Sequence, residues 1–322
     1  MPTAAPAAID ARTPFHIILN AGSGHNDAAE TRNIIEHLLT AADRNYELTM
    51  VDRPARLGEI ARSTVAQAQQ RQGVVVIAGG DGAINAVVQA TLGSGCALGI
   101  LPQGTFNYFA RTHGIPCDTA EAVQALLAAR VEPVQVGLVN DHVFLVNASL
   151  GLYPQLLEDR EAYKQQYGRS RLVALVSGLV SVLRQHRQLR ISLERAGKVE
   201  DMRTPTLFVG NNALQLAQIG IPLIDALAQG ELAAIMSKPV GTVALLGLML
   251  RGAFGQLGEA ENVVSFGFKR MRVRSRQFYR QRVKVATDGE IVWLHAPLEF
   301  RIAPEPLYLL KAKTPPAMTE PA

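Results

Sequence analysis

The chain has 322 residues, 48% of them hydrophobic, with 27 Gly and 17 Pro, which suits a globular protein of one or two domains with a sizeable core. Its only two cysteines, Cys96 and Cys117, form no CxxC pair, so the composition speaks for a reducing compartment and against a disulfide scaffold. Net charge is +4, but eight Lys/Arg lie between positions 269 and 284 with no acid among them, so the rest of the chain is net acidic and the basic character is local. The Ala/Pro-rich start lacks the basic and apolar order of a signal peptide and reads as a flexible arm. The two longest apolar runs, 172–183 and 240–250, fall short of the roughly 18–20 residues of a membrane span, and a buried helix is the favoured reading of each over a lipid-facing one. The seven histidines show no metal-ligand spacing.

Residues 15–19, Phe-His-Ile-Ile-Leu, read as a short apolar strand, followed by a small-residue loop holding Asn20, Ser23 and Gly24. A helix begins near Asn26 or Asp27, where Asp27 with Glu30 resembles a capping box, and Ile34, Ile35, Leu38, Leu39 and Ala42 mark its buried stripe. Residues 46–51 predict a strand and 57–70 a helix. The apolar run 74–78 then leads into Gly79-Gly80-Asp81-Gly82 and a helix carrying Asn85. Three glycines in that turn let backbone N–H groups come close to a ligand, and the helix N-terminus adds partial positive charge, so the joint suits a phosphate. Asp81 would repel that phosphate unless a cation bridges them or its carboxylate handles a proton. The plainer alternative is that it caps the helix.

A strand at 97–101 opens a third loop, which carries Gly104, Thr105, Asn107 and Arg111, and 118–130 is again helical in pattern. Strands alternating with helices predict a Rossmann-like α/β domain with a parallel sheet, on which ligands collect at the carboxyl ends of the strands. All three Gly-containing loops lie on that edge. Asn20, Ser23, Thr105, Asn107 and Arg111 supply donors for phosphate oxygens.

Near residue 134 the grammar changes. Residues 134–139, an Asn140-Asp141 turn and residues 143–147 predict a hairpin. Strand-like runs follow at 189–194, 206–210, 263–266, 271–275 and 283–287, interrupted by helical stretches around Leu172 and Leu245, which makes a mostly antiparallel, β-rich second domain. Arg270, Arg272, Arg274 and Arg276 alternate with other residues, so on a strand they share one face. That face, with Arg280, Arg282 and Lys284, reads either as a charge-guarded edge strand or as a surface for anionic headgroups or a phosphorylated ligand, the second being favoured because no counter-charge lies in the run. Nucleic acid is disfavoured by the scarcity of stacking side chains there. Asp288-Gly289-Glu290 places two carboxylates around a turn.

The GGDG turn at 79–82 with Asn85, the loop residues Asn20, Ser23 and Gly24, the Gly104-Thr105-Phe106-Asn107 and Phe109-Ala110-Arg111 stretches, and Asp288-Gly289-Glu290 together resemble the diacylglycerol kinase catalytic family. Within it they are most like the soluble bacterial lipid kinases. The resemblance implies an ATP-binding domain at 13–133, with 303–312 returning to it, a lipid-substrate domain at 134–302, and tails at 1–12 and 313–322. It also implies Mg²⁺-dependent phosphorylation of a lipid hydroxyl by a cytoplasmic protein that meets the membrane peripherally, with a homodimer left open. Carried over by position, Asn20, Ser23, Gly24, Gly79, Gly80, Gly82, Asn85, Gly104, Thr105, Asn107 and Arg111 would hold ATP. Asp81 would orient phosphates and Mg²⁺, and Asp288 or Glu290 would take the hydroxyl proton, with Asp81 as a rival base. Family members carry Thr, Glu and Asp where Ala83, Ala86 and Tyr108 stand. Two other readings therefore stay open: a non-catalytic lipid- or nucleotide-binding regulator, and a soluble-substrate enzyme of the NAD kinase type.

Overall fold

The computed structural model describes residues 6, 9–10, 12–22, 28–152, 154, 188–275 and 282–312. Ser23, Gly24, Asp27, the apolar run 172–183, Arg276 and Arg280 lie outside the described residues. Two compact units make up the chain, one of residues up to 136 together with those from 303 onward, the other of residues 137–302.

The first unit is a six-stranded sheet in the order β2-β1-β3-β4-β18-β5. Strands β1 (Phe15–Asn20), β2 (Tyr46–Val51), β3 (Val74–Gly79) and β4 (Ala97–Pro102) run parallel, and β18 (Leu307–Ala312) joins them parallel to β4. β3 and β4 are buried at every position, which is why their sequences are unbroken apolar runs. Helix α1 (Ala28–Ala41) packs on α5 (Thr119–Leu127), and α2 (Leu57–Gln70) packs on α3 (Asp81–Thr91). Phe15, Ile17 and Leu19 with Val74, Val76 and Ala78 share one cluster with Ile35 and Leu39 of α1 and Val123 of α5. Alternate residues of each strand thus serve opposite faces.

The expected helix over 118–130 is shorter. It ends at Leu127, and Ala129–Val134 is an edge strand, β5, paired antiparallel with β18. Val131 packs inward while Arg130 and Glu132 face out, a period of two that a helical reading overrides. Asp118 caps α5, its carboxylate accepting from the Glu121 N–H at 2.9 Å.

The second unit consists of two six-stranded antiparallel sheets, ordered β10-β9-β14-β17-β6-β7 and β13-β12-β11-β8-β15-β16, with β13 at Val263–Phe268. One hydrophobic cluster draws from both, including Ile191 and Leu193 of β9 (Leu189–Arg195), Phe300 of β17 (Leu298–Ile302), Val209 of β11 (Thr206–Gly210) and Val285 of β15 (Arg282–Thr287). The predicted hairpin is smaller than expected. β6 (Gly137–Val139) and β7 (His142–Phe144) pair across Asn140-Asp141, and β8 (Asn147–Gly151) belongs to the other sheet. β10 (Lys198–Thr204), β12 (Leu232–Ser237) and β16 (Glu290–His295) escape the sequence reading. β10 is a mostly exposed, charged strand with little apolar signal, and β12, buried at every position, opens on Leu-Ala-Ala, where alanine is a weak strand former.

Two expectations are overturned here. β14 (Arg270–Arg274) lies between β9 and β17, away from any edge, and these neighbours supply the counter-charge missing from its own sequence. Glu299 pairs with Arg270 and lies 3.9 Å from Arg272, while Glu194 lies 3.8 Å from Arg272 and 3.2 Å from Arg274. The segment 240–250 does not form a wholly buried helix. α8 (Thr242–Ala253) buries Leu245 and Leu248, yet Val243 is 85% exposed and Leu250 59%. The remaining helices of this unit among the described residues, α6 (Ala213–Gln218) and α7 (Ile224–Ala228), are short.

Candidate nucleotide site and carboxylate turn

In the first unit the end of β1 lies beside the end of β3, and the turns after β3 and β4 meet. A Cβ on Gly79 would lie 3.6 Å from the Asn20 Cβ and 2.8 Å from that of Ala83, and one on Gly104 would lie 2.9 Å from the Gly80 Cα. The loops also bond directly, the Gln103 N–H donating to the Gly79 carbonyl at 2.9 Å. Close approach is thus built from glycines, and Ala83 fits beneath Gly79 because it is small.

Gly80, in extended conformation, is the N-cap of α3, so Asp81 is the first helical residue and does not cap it. The turn therefore offers the first N–H groups of an 11-residue helix without a side chain covering them. The Asp81 carboxylate instead meets the N–H groups of Asn107, Tyr108 and Phe109, at the start of the short helix α4 (Tyr108–Thr112). Its Oδ1 is buried with no hydrogen-bond partner, and burial pushes its pKa up against the pull of those three amides.

Asn107, expected to donate to phosphate, is turned inward. It is 5% exposed with φ +49°, its Oδ1 accepts from the Gly104 N–H at 2.9 Å, and its Nδ2 donates to the Gly104 carbonyl at 2.9 Å. The remaining Nδ2 hydrogen points to Cys117 Sγ at 3.7 Å. Its task is to shape the loop. Around that loop lies a cavity of about 360 Å³ lined by Gln103, Gly104, Thr105, Phe106 and Arg111, with Arg111 and Thr105 exposed. Phe106, 56% exposed, stacks on Tyr108 at 5.7 Å. Asn85 is half-buried on α3, one turn beyond Asp81.

Sequence reasoning missed a buried polar chain behind this loop. Gln103 Nε2 donates to Thr119 Oγ1 at 3.0 Å, and Thr31 Oγ1 donates to Gln103 Oε1 at 3.4 Å, tying the end of β4 to α5 and α1. A glutamine following a buried strand and its proline is the only signal that could have drawn notice.

In the second unit Asp288 (φ +49°) and Gly289 (φ +87°) form a two-residue turn joining β15 to β16, with Thr287 opposite Glu290. The Asp288 carboxylate accepts three backbone N–H bonds, from Leu145 at 2.8 Å, Val146 at 2.8 Å and Asn147 at 3.0 Å, and its own N–H donates to the Asn147 carbonyl at 2.9 Å. It pins the approach to β8. Glu290, the other carboxylate of the turn, is exposed at the start of β16.

Residues 14–139 match the sequence profile of the diacylglycerol kinase catalytic domain. A "probable lipid kinase YegS-like" of Klebsiella pneumoniae (strain 342) is 36% identical over 108 residues, covering 33% of this chain and 36% of that protein. A diacylglycerol kinase of Bacillus subtilis (strain 168) is 38% identical over 89 residues, covering 27% and 29%. The chain thus aligns with about a third of the length of these two relatives. The crystal structure of a diacylglycerol kinase from Bacillus anthracis str. Sterne superposes with a TM-score of 0.70 over 93% of this chain and 97% of that one, at 19% identity, a likeness of fold. Residues 14–139 are thus similar in sequence to the diacylglycerol kinase catalytic domain, and the chain shares the fold of the Bacillus anthracis protein, a parallel α/β sheet followed by antiparallel sheets.

Proposed function

We propose that the protein is an ATP- and Mg²⁺-dependent kinase that phosphorylates a lipid hydroxyl, with a diacylglycerol-type acceptor favoured. The observation that carries this reading is the meeting of Gly80 with Gly104 beneath the uncapped first turn of α3. A phosphate chain needs that combination of close backbone approach and unspent N–H groups. Asn20, Gly79, Gly80, Gly82, Asn85, Gly104, Thr105 and Arg111 are its binding residues in the described part of the chain, with Ser23 and Gly24 added by sequence.

Asp81 makes a cation part of the proposal. A lone buried carboxylate oxygen beside a phosphate site is repulsive by itself. Mg²⁺ typically takes one or two carboxylates plus substrate phosphates and water, which fits one such oxygen, and it offsets charge during transfer. Among the described residues no group of three His, Cys, Asp or Glu could hold a metal, so the ion would arrive with the nucleotide.

In the reaction the bond between the γ-phosphorus and the bridging oxygen of ATP breaks, the acceptor oxygen bonds to phosphorus, and the hydroxyl proton passes to a carboxylate. Asp288 and Glu290 are the candidates, with Asp81 as rival. Glu290 is favoured over Asp288, whose oxygens already accept three amides. The same tethering of Asp288, with Ala86 and Tyr108 where relatives carry acids, favours as second reading a binding protein that has lost transfer. Arg282 and Lys284, on β15 in the other sheet from the ion-paired arginines of β14, are proposed contacts for anionic headgroups. No helix of the described residues is long and apolar enough to cross a membrane.

The test of the nucleotide reading is calorimetric titration of ATP with and without Mg²⁺. The wild type binds more tightly with Mg²⁺, while Asp81→Asn binds Mg²⁺-free ATP more tightly than the wild type does and loses the Mg²⁺ dependence. ATP binding indifferent to both would overturn it.

A further inference from the structure

Helix α8 has the wrong outer face for a helix in water. Val243, Leu250 and Phe254 are seven and four residues apart, so they fall within about 40° of one line along the helix. They are 85%, 59% and 76% exposed. Leu245 and Leu248, on the opposite side, are buried and hold the helix to the unit. A surface helix normally carries polar residues where these stand. Gly247, about 40° from Val243 around the helix, reinforces the point, since a Cβ on it would meet no atom within 4 Å. Other exposed apolar side chains, such as Val199 on β10 and Trp293 on β16, stand on strands apart from this stripe.

Charge identifies the occupant. No acidic residue occurs between Glu231 and Glu259, and the two cations of that stretch are both exposed, Lys238 ahead of the helix and Arg251 on the flank of the stripe between Leu250 and Phe254. An apolar line accompanied by cations and no acid suits a bilayer with anionic headgroups, where the apolar side chains enter the acyl boundary and the cations stay among phosphates. The helix has 12 residues, about 18 Å, which is too short to cross a hydrocarbon core of roughly 30 Å and long enough to lie in the interface. Gly247 leaves room for lipid to close around it.

We propose that α8 is an interfacial anchor, inserted in the plane of an anionic membrane along the Val243, Leu250 and Phe254 stripe. Its purpose rests on the lipid-kinase reading, because an acceptor with two acyl chains resides in the bilayer and must be met there. The docking itself needs no catalysis. It also differs in kind from contact through β14, whose arginines are largely offset by Glu194 and Glu299.

The experiment is co-sedimentation of the full-length protein with vesicles of phosphatidylcholine containing phosphatidylglycerol, at about 0.1 M and about 1 M salt, where the Debye length falls from roughly 10 to 3 Å. It compares the wild type, the triple variant Val243→Ser/Leu250→Ser/Phe254→Ser, and Val199→Ser as an exposed apolar control. Because the three side chains are exposed, melting temperature and sheet circular dichroism of the triple variant stay at wild-type values, which confirms its fold. The expected result is vesicle binding by wild type and Val199→Ser that survives high salt in part, and partitioning at least about 100-fold weaker in the triple variant. Binding unchanged in the triple variant, absent in the wild type, or abolished by salt alone would overturn the proposal. So would a wild-type dimer that becomes monomeric in the triple variant, because the stripe would then be a self-interface. So would an environment-sensitive dye on Val243→Cys, in a Cys117→Ser background, that is already shielded from quencher without vesicles, because another part of the chain would then cover it. Transfer to a short-chain, water-soluble diacylglycerol is measured in parallel. Its failure in a wild type that binds vesicles would count against the kinase reading and leave the anchor standing.

Discussion

Gly104 and Gly80 are in backbone contact, so near that a methyl group on Gly104 would stand 2.9 Å from the Gly80 Cα and 2.7 Å from Asn107 Oδ1. Gly104→Ala therefore pushes the third loop off the GGDG turn. The clash costs about 1–3 kcal/mol of stability, and ATP affinity falls about tenfold or more. Thermal melting and calorimetry check the two effects separately. Unchanged affinity would mean that the loops' contact is not part of a nucleotide site.

Asp288 holds three amides of the 145–147 segment with one carboxylate. Asp288→Ala leaves those donors without their acceptor and destabilises the second unit by roughly 3 kcal/mol or more, while Asp288→Asn, which keeps one acceptor oxygen, costs less. Chemical denaturation measures both. Glu290→Gln, at an exposed position, melts like wild type, so a loss of transfer in that variant is a chemical effect.

His113 packs edge-on against Phe109 at 4.6 Å, and burial with the nearby Lys311 cation lowers its pKa to about 4. The folded state thus binds its proton later than the unfolded chain does, and the stability from neutral His113 is complete above the ordinary value of 6.5. It is lost as the pH falls from there to about 4, by up to roughly 3 kcal/mol. His113→Gln flattens that part of the stability profile, as measured by urea titrations at a series of pH values.

Where side chains repeat with the period of their element, the fold was legible from sequence. The runs at 74–78 and 97–101 became buried parallel strands, and the 57–70 helix has the expected ends. The glycine loops after β3 and β4 were legible because close backbone approach leaves glycine as its trace. The partners of charged groups were not legible. Glu194 and Glu299 reach β14 only through strand pairing across long sequence separations, so Arg270 to Arg274 looked uncompensated. Asp288 was read as a chemical group because its three amide donors lie more than 140 residues away and are backbone, which no residue type announces. Exposure of α8 was hidden for a related reason, since an apolar run reads alike whether protein or lipid is its solvent.

The most direct test of the kinase reading is transfer of labelled γ-phosphate from ATP with Mg²⁺ into chloroform-extractable product. The purified protein is offered diacylglycerol, monoacylglycerol, sphingosine and phosphatidylglycerol in mixed micelles, with Asp81→Asn and Glu290→Gln alongside. The account predicts label in a lipid of the panel, diacylglycerol foremost, and its loss in both variants. ATP binding with no label in any of the four lipids would contradict it and leave the chain a binding protein built on a kinase fold.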